Sequence, residues 1–297
     1  MLPTARPSFS QRHPFIFGFL LIMAAVALFM GASAALRHFT GDAGPFAGPR
    51  VGVVRVEGMI ADITKTVAWM DKLREDPTVR GVLLRVDSPG GGVAASQELL
   101  EAVRRMARVK PVVVSMGTVA ASGGYYISLG ASRIIANPAT LTGSIGVKME
   151  LPNMQGLMDK LGLARQTLVS GDMKDAGSPF RAMTPQEREY LQALVMDMYD
   201  QFVTEVANSR NLPVEKVRAV ADGRALTGRQ AHELGLVDAL GGMDMALTDL
   251  LQLCGIAERP VLVEQPKPSS WLRDALESVL DLQPASRVGT PGFMYVY

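Results

Sequence analysis

A serine surrounded by small residues, Ser122, is the strongest candidate for a nucleophile in this 297-residue sequence. It follows an apolar run, residues 111–114, that predicts a buried strand, and it precedes Gly123 and Gly124. Small neighbours leave the hydroxyl uncovered, and the first N–H groups of a following helix would lack partners. The same residues also suit a tightly packed turn whose serine only caps the helix. Both interpretations stay open at this point.

A serine nucleophile needs a general base, and two side chains compete for that role. His232 is the one histidine of three that lies away from the N-terminal apolar segment, so a Ser-His-Asp arrangement would require it, with an acid such as Asp238. His232, however, falls in a short polar helical stretch that is typical of a surface. The other candidate is Lys174, in a Gly/Ser/Pro loop, because lysines act as bases where burial lowers their pKa. By the composition of this loop alone, Lys174 is more typical of a solvated surface lysine than of a general base.

Three consecutive glycines, residues 90–92, follow another predicted strand. The glycine patterns that cradle phosphates are absent, so these glycines could instead present bare N–H groups to an oxyanion, or form a flexible loop. The small residues Gly117, Thr118, Val119 and Ala120 suggest a groove to which a substrate could add as a β-strand.

Apolar strands alternate with amphipathic helices between residues 51 and 256. This alternation predicts an α/β fold with a largely parallel sheet. A further strand is expected near residues 166–169. Residues 184–187 have the pattern of a capping box that begins a long helix, which the apolar spacing continues to about Ser209.

An uncharged run, residues 15–36, is long enough to cross a membrane, because a helix rises about 1.5 Å per residue and the hydrocarbon core is ~30 Å thick. Two arginines precede it and favour a cytoplasmic N-terminus, residues 1–14, although Arg37 opposes this. The run exceeds the ~7–15 residues of a cleaved signal peptide's apolar region, which predicts an uncleaved anchor. A Gly/Pro-rich linker, residues 37–50, then leads to the main domain outside the cytoplasm.

Composition excludes several classes of protein. The formal net charge of +1 does not indicate the excess of basic residues that is typical of nucleic-acid-binding proteins. One cysteine, Cys254, excludes an intrachain disulfide framework and a cysteine-rich zinc site. The tail, residues 257–297, is polar and Pro-rich, and we expect it to be partly disordered. Its apolar end, residues 293–297, prompts the hypothesis that a peptide-like terminus occupies the protein's own groove or that of a neighbouring copy.

Several motifs in order resemble the short, single-domain signal peptide peptidases of the S49 family of membrane-anchored serine peptidases. They occupy residues 87–91, 115–126, 137–146, 171–179 and 221–238. The resemblance covers residues 51–256 and the anchor. It implies a Clp-protease/crotonase-like α/β fold with an N-terminal transmembrane helix, no metal and no organic cofactor. It also implies a dome-shaped homo-octamer in which the serine and lysine of one site come from neighbouring subunits.

The resemblance also assigns roles to individual residues. It implies that Ser122 is the nucleophile and that Lys174, 52 residues later, is the general base. Ser144 would orient the lysine, and the N–H groups of Gly91 and Gly123 would form the oxyanion hole.

The expected protein is therefore an inner-membrane, single-pass Ser-Lys endopeptidase that degrades remnant signal peptides and other short apolar or unfolded peptides. Its expected partners are these peptides, the membrane and copies of itself, and not nucleic acid. Two alternatives remain: a Ser-His hydrolase that uses His232, and a catalytically silent crotonase-like scaffold that binds peptides.

Overall fold

A computed structural model describes residues 13–40, 48–266 and 293–296. The chain divides into two units, Met1–Gly48 and Pro49–Tyr297. In the first unit, helix α1 spans Pro14–Thr40, and its segment Pro14–Ala32 is long and apolar enough to cross a membrane. The helix contains the predicted run and extends four residues beyond it. Half of the predicted linker, residues 41–47, lies outside the described residues, and its first four residues belong to α1.

The second unit alternates strands and helices. The strands are β1 Arg50–Glu57, β2 Val79–Ser88, β3 Gly90–Gly92, β4 Val112–Ala121, β5 Arg133–Ala136, β6 Leu141–Gly143, β7 Lys148–Met149, β8 Ala225–Thr227, β9 Ala239–Leu240, β10 Val261–Val263 and β11 Phe293–Val296. The helices are α2 Thr64–Glu75, α3 Val93–Ala107, α4 Gly123–Ser128, α5 Gln155–Lys160, α6 Pro185–Arg210, α7 Val214–Arg218, α8 Gly228–Glu233 and α9 Met243–Cys254.

The central sheet has the order β10-β1-β2-β4-β5-β9, and all of these neighbours are parallel. Its middle strands are apolar on both faces because helices cover both sides: Leu83 and Val113 pack against α9, whereas Leu84 and Val114 belong to the core formed with α2, α3 and α6. The predicted α/β class with a largely parallel sheet is confirmed.

The strand β4 continues beyond its apolar half into the small residues that precede Ser122. There it leaves β5 and pairs with β6, with Ala121 opposite Gly143. On its other side the register with β2 shifts, so that Ala120 lies opposite Ser88. This shift in register places the end of β4 beside Ser88, two residues before the glycine run.

The glycine run itself forms a strand rather than a flexible loop. β3 belongs to a second sheet of order β3-β11-β7, in which the C-terminal strand β11 is antiparallel to both neighbours. Ile60 bridges the other edge of β3: its N–H donates to the Gly90 carbonyl and its carbonyl accepts from the Gly92 N–H, both at 2.8 Å.

Other elements differ from the prediction in informative ways. The strand expected near residues 166–169 is absent: these residues pair with no strand of the described chain, and Leu168 is 99% exposed. Within the tail that was expected to be partly disordered, β10 pairs with β1 at the edge of the sheet. Residues 267–292 and 297 lie outside the described residues.

Candidate active site

Ser122 occupies a sharp turn between β4 and α4. Its backbone adopts φ 53° and ψ −115°, a conformation that costs a non-glycine residue about 1–3 kcal/mol. Its N–H donates to the Gly143 carbonyl and its carbonyl accepts from the Tyr126 N–H, each at 2.8 Å. The side chain makes no capping bond, and Oγ is buried without a hydrogen-bond partner in the described chain. The interpretation of Ser122 as a simple helix cap is therefore wrong. The strained turn is typical of a nucleophile elbow.

Two buried tyrosines anchor the short helix that follows Ser122. The hydroxyl of Tyr125 donates to the Leu236 carbonyl at 2.9 Å, and burial raises the pKa of Tyr125 far above its ordinary value. The ring of Tyr126 meets that of Phe202 edge to face, with centroids 4.9 Å apart, and burial raises its pKa to about 12. Both phenols keep their protons near pH 7. They therefore position α4 and do not act as proton donors or acceptors in catalysis.

The two expected oxyanion donors lie beside each other. A Cβ on Gly123 would stand 3.1 Å from the Gly91 nitrogen. A Cβ on Gly91 would stand 2.0 Å from the Ile60 carbonyl oxygen, so only glycine allows this close approach of the two backbones. Because Gly90 and Gly92 bond to Ile60, the N–H of Gly91 points to the opposite side of β3. That side faces β11.

Two serines near these donors were missed by the sequence analysis. Ser88 Oγ accepts from the Gly90 N–H at 3.1 Å and fixes the turn that leads into Gly91. Ser96, on α3, is fully buried and lies next to Gly123. Ser88 falls within a motif that was recognised, whereas Ser96 follows an ordinary helical pattern that gives no signal of a site.

Ser144 lies close to Ser122 because it directly follows Gly143, which accepts the Ser122 N–H. It is buried, with φ 48°, and its hydroxyl donates to the Gly223 carbonyl at 3.1 Å. It also lines a cavity of about 500 Å³, between residues 146–148 and helix α6. The lone pairs of its oxygen can accept a hydrogen bond from a group that enters this cavity.

Lys174 is not brought to Ser122 within the chain. It lies exposed on a 3-10 turn, Asp172–Asp175, and lines an open pocket with Met173 and Gln186. The Ser122 oxygen has no partner, so the amine of Lys174 is not within hydrogen-bond distance of it. The structure thus brings together Ser122, Ser144, Gly91 and Gly123, and leaves Lys174 apart.

A peptide backbone passes directly in front of Gly91. In β11, Tyr295 lies opposite Gly91, and Met294 pairs with both Gly92 and Lys148. The C-terminal strand therefore fills a groove between β3 and β7, and it also lies beside α3 and α4. This groove accepts an extended chain next to the candidate nucleophile.

A comparison of the chain with models of protein families shows which family it belongs to. The model of peptidase family S49 matches residues 104–257, about half of the chain. The chain belongs to peptidase family S49.

Curated relatives agree with this membership. A Synechocystis protein described as a protease is 43% identical over 223 residues, which cover 74% of this chain and 80% of that protein. An Enterococcus faecium protein described as signal peptide peptidase SppA is 44% identical, covering 68% of this chain and 60% of its own length. The chloroplast serine protease SPPA of Arabidopsis thaliana is 37% identical, covering 70% and 31%. This chain thus spans under two thirds of the last two, and the names support a serine peptidase.

The alternative base in this S49 peptidase, His232, has no triad around it. His232 is exposed on α8. Asp238 instead accepts from Arg210 at 2.7 Å and from the Ile134 N–H at 2.7 Å. Burial raises the pKa of Asp238, but these hydrogen bonds outweigh it and hold the pKa below its ordinary value. Since the Ser122 oxygen also has no partner, the geometry gives no support to a Ser-His hydrolase.

The proposed substrate-binding residues at the end of β4 are less accessible than expected. Val119 pairs with β6, and Ala120 pairs with both β6 and β2, so neither has a free backbone edge. Gly117 and Thr118 line a separate cavity of about 350 Å³ that also contains Arg85. A role in substrate binding stays a prediction for these four residues, and the strand addition that the structure shows is that of the chain's own β11 to β3.

The loop that carries Lys174 is tied to helix α6 by Arg181. Its guanidinium bonds to the Asp175 carboxylate at 3.1 Å and to Glu187 at 2.9 Å. Glu187 also forms the predicted capping box with Thr184, which is confirmed. The Arg181 hydrogen bonds and the Thr184 N–H lower the pKa of Glu187 to about 2. Arg181 thus pairs with both Asp175 and Glu187, and neither carboxylate forms a salt bridge with Lys174 in the described chain.

This pKa predicts acid sensitivity. A carboxylate whose folded pKa is depressed stabilises the protein above its unfolded pKa, about 4.5, and loses this effect as the pH falls towards 2. We expect Glu187→Gln to lower the thermal midpoint at pH 7 and to flatten its decline between about pH 5 and pH 2.5. Scanning calorimetry across this range measures the effect. The exposed neighbour Glu189 supplies the control Glu189→Gln, and matching curves for the two variants would refute the role of the Arg181–Glu187 pair.

Proposed function

We propose that this S49 peptidase is a membrane-anchored Ser-Lys endopeptidase that degrades remnant signal peptides and other short apolar or unfolded peptides. The observation that carries the proposal is β11: an extended peptide pairs with β3, so that its backbone faces the Gly91 N–H next to Ser122. β-strand addition of this kind gives affinity through the main chain and tolerates varied side chains. It suits an enzyme that acts on many short peptides.

The chemistry follows from the neighbouring groups. Ser122 Oγ attacks the scissile carbonyl, and the neutral amine of Lys174 takes the serine proton and later gives it to the leaving amine. The Gly91 and Gly123 N–H groups stabilise the oxyanion. In other serine peptidases each such donor lowers the activation free energy by about 3–4 kcal/mol. Ser144 accepts a hydrogen bond from the lysine ammonium and holds it in the cavity.

The lysine is supplied by a second copy of the chain. Support comes from the buried Ser122 oxygen, which lacks a partner, and from the exposure of Lys174 on its own subunit. The cavity beside Ser144 is the entrance that the neighbour's amine would use. Exposed leucines on and after α5 offer an apolar surface for the contact: Leu157, Leu161, Leu163 and Leu168. The Clp-protease/crotonase-like fold and the homo-octamer are proposed from the family resemblance.

The proposed location follows from α1. One helix of this length and apolar composition supports a single-pass anchor in the inner membrane, with the peptidase domain outside the cytoplasm.

Covalent labelling tests the proposed chemistry. The full chain, purified in detergent, is expected to react with a fluorophosphonate probe at Ser122 and to cleave an apolar fluorogenic peptide. Lys174→Ala should slow labelling strongly, because it removes the base. An unlabelled, inactive wild type that still binds peptides would favour the silent scaffold and refute the proposal. Normal labelling of Lys174→Ala would refute the role of the lysine.

The C-terminal strand predicts a second effect. Because β11 fills the groove that a substrate needs, we expect a chain that ends at residue 289 to show a lower KM and an unchanged kcat. A tethered competitor acts at an effective concentration near millimolar, so a drop in KM of about tenfold is reasonable.

A chain of full length whose last eight residues are Gly and Ser serves as the control, and it should behave like the truncated enzyme. A synthetic peptide of residues 290–297 should inhibit the truncated enzyme competitively. An unchanged KM in both altered chains would show that β11 does not compete with substrates.

A further inference from the structure

Ser96 has a hydroxyl that the fold leaves unused. The residue lies in the first turn of α3, is completely buried, and its Oγ has no hydrogen-bond partner among the described residues. Buried hydroxyls in helices usually donate to the carbonyl four residues earlier. The buried hydroxyl of Ser128 does this with the Gly124 carbonyl at 2.8 Å. Ser96 does not, so its hydroxyl is kept free for another acceptor.

The position of this hydroxyl is specific. A Cβ on Gly123 would stand 2.6 Å from Ser96 Oγ and 3.1 Å from the Gly91 nitrogen. Ser96 Oγ and the Gly91 nitrogen therefore flank the same point beside Gly123, which places the Ser96 hydroxyl next to the expected oxyanion hole. Helix α3, which carries Ser96, also lies beside β11.

We propose that Ser96 is a third hydrogen-bond donor of the oxyanion hole. In the attack, the bond from Ser122 Oγ to the carbonyl carbon forms, the carbonyl electron pair moves to oxygen, and the serine proton passes to the lysine amine. Ser96 keeps its own proton and donates a hydrogen bond to the new oxyanion, together with Gly91 and Gly123. When the intermediate collapses, the C–N bond breaks, the ammonium protonates the leaving amine, and the bond from Ser96 weakens.

The free hydroxyl explains why such a donor would accelerate the reaction. A group that gains its partner only as charge develops stabilises the transition state more than the bound substrate. The benefit therefore falls on kcat rather than on KM. The inference rests on the proposed peptidase activity, and its test separates the two.

The test compares Ser96→Ala with Ser128→Ala in the full chain, using an apolar fluorogenic peptide. We expect Ser96→Ala to lower kcat about 10- to 100-fold with KM within about twofold, because one of three donors is lost. Ser128→Ala removes a paired buried hydroxyl and should leave kcat within about twofold of the wild type. Ser96→Cys retains a weak donor of similar size and should give an intermediate kcat.

A second measurement distinguishes a donor from a packing residue. A peptide aldehyde, which forms a tetrahedral adduct with the serine, should bind Ser96→Ala more weakly by the same factor as kcat, while a product peptide should bind as it does to the wild type. Equal losses for aldehyde and product, or a kcat within threefold of the wild type, would overturn the inference. If the wild type itself cleaves no peptide, the proposed function fails first.

Discussion

Replacing Ser122 with alanine is expected to reduce peptide hydrolysis by about 10⁴-fold or more, because the nucleophile of a serine peptidase cannot be replaced by the remaining groups. The loss should appear in kcat, since the groove at β3 and the donors Gly91 and Gly123 stay in place. Kinetics on an apolar fluorogenic peptide, with parallel measurement of peptide binding, check both expectations.

The fold should survive this change. The Ser122 side chain makes no hydrogen bond, and alanine has to adopt the same positive φ as serine, so the strain at the turn is unchanged. Thermal unfolding within about 2 °C of the wild type is expected, because a substitution without lost contacts has little effect on stability. Ser128→Ala is the matched control, and it should keep its activity. An active Ser122→Ala enzyme would show that Ser122 is not the nucleophile.

Replacing Lys174 with alanine is expected to have an effect of similar size, about 10³-fold or more in kcat, because Ser122 would lose its base. Lys174 is exposed and lies on a loop that Arg181 holds, so neither folding nor the groove at β3 should change. Lys174→Arg should also be inactive, since a guanidinium does not release its proton.

The control for this substitution is Lys72→Ala, which removes an exposed lysine on α2. It should leave kcat within about twofold. Retention of most activity in Lys174→Ala would mean that another group takes the serine proton.

The sequence predicted the parts of the fold that depend on local pattern. Residues 81–84 are apolar at every position, and they lie in a strand that is buried on both faces. The capping box of Thr184 and Glu187 appears as predicted, because its signal lies within four residues. These elements need no information from distant parts of the chain.

The parts that failed depend on long-range pairing. A glycine run has little intrinsic preference for a strand, and β3 forms because Ile60 and β11 supply partners from other parts of the chain. The segment near Leu168 has strand-forming residues and no neighbour to pair with. Strand propensity reflects a fit to a neighbouring strand, which the sequence of one segment cannot supply.

Some residues of the candidate site could likewise be predicted from the sequence, and others could not. Ser122, Ser144, Gly91 and Gly123 were expected from motifs, and the fold brings them together. Ser96 was missed because its importance comes from the approach of α3 to Gly123, which no local pattern encodes. The proposed general base, Lys174, differs from these residues because it lies away from Ser122 in the single chain.

The central claim is that one active site uses Ser122 of one subunit and Lys174 of another. Co-expression of Ser122→Ala and Lys174→Ala chains, carrying different affinity tags and purified through both, tests it most directly. Each variant alone is expected to be inactive, whereas random mixing should restore about a quarter of the wild-type activity, because one site in four then combines an intact serine with an intact lysine. Mixed assemblies as inactive as the separate variants would contradict the shared site.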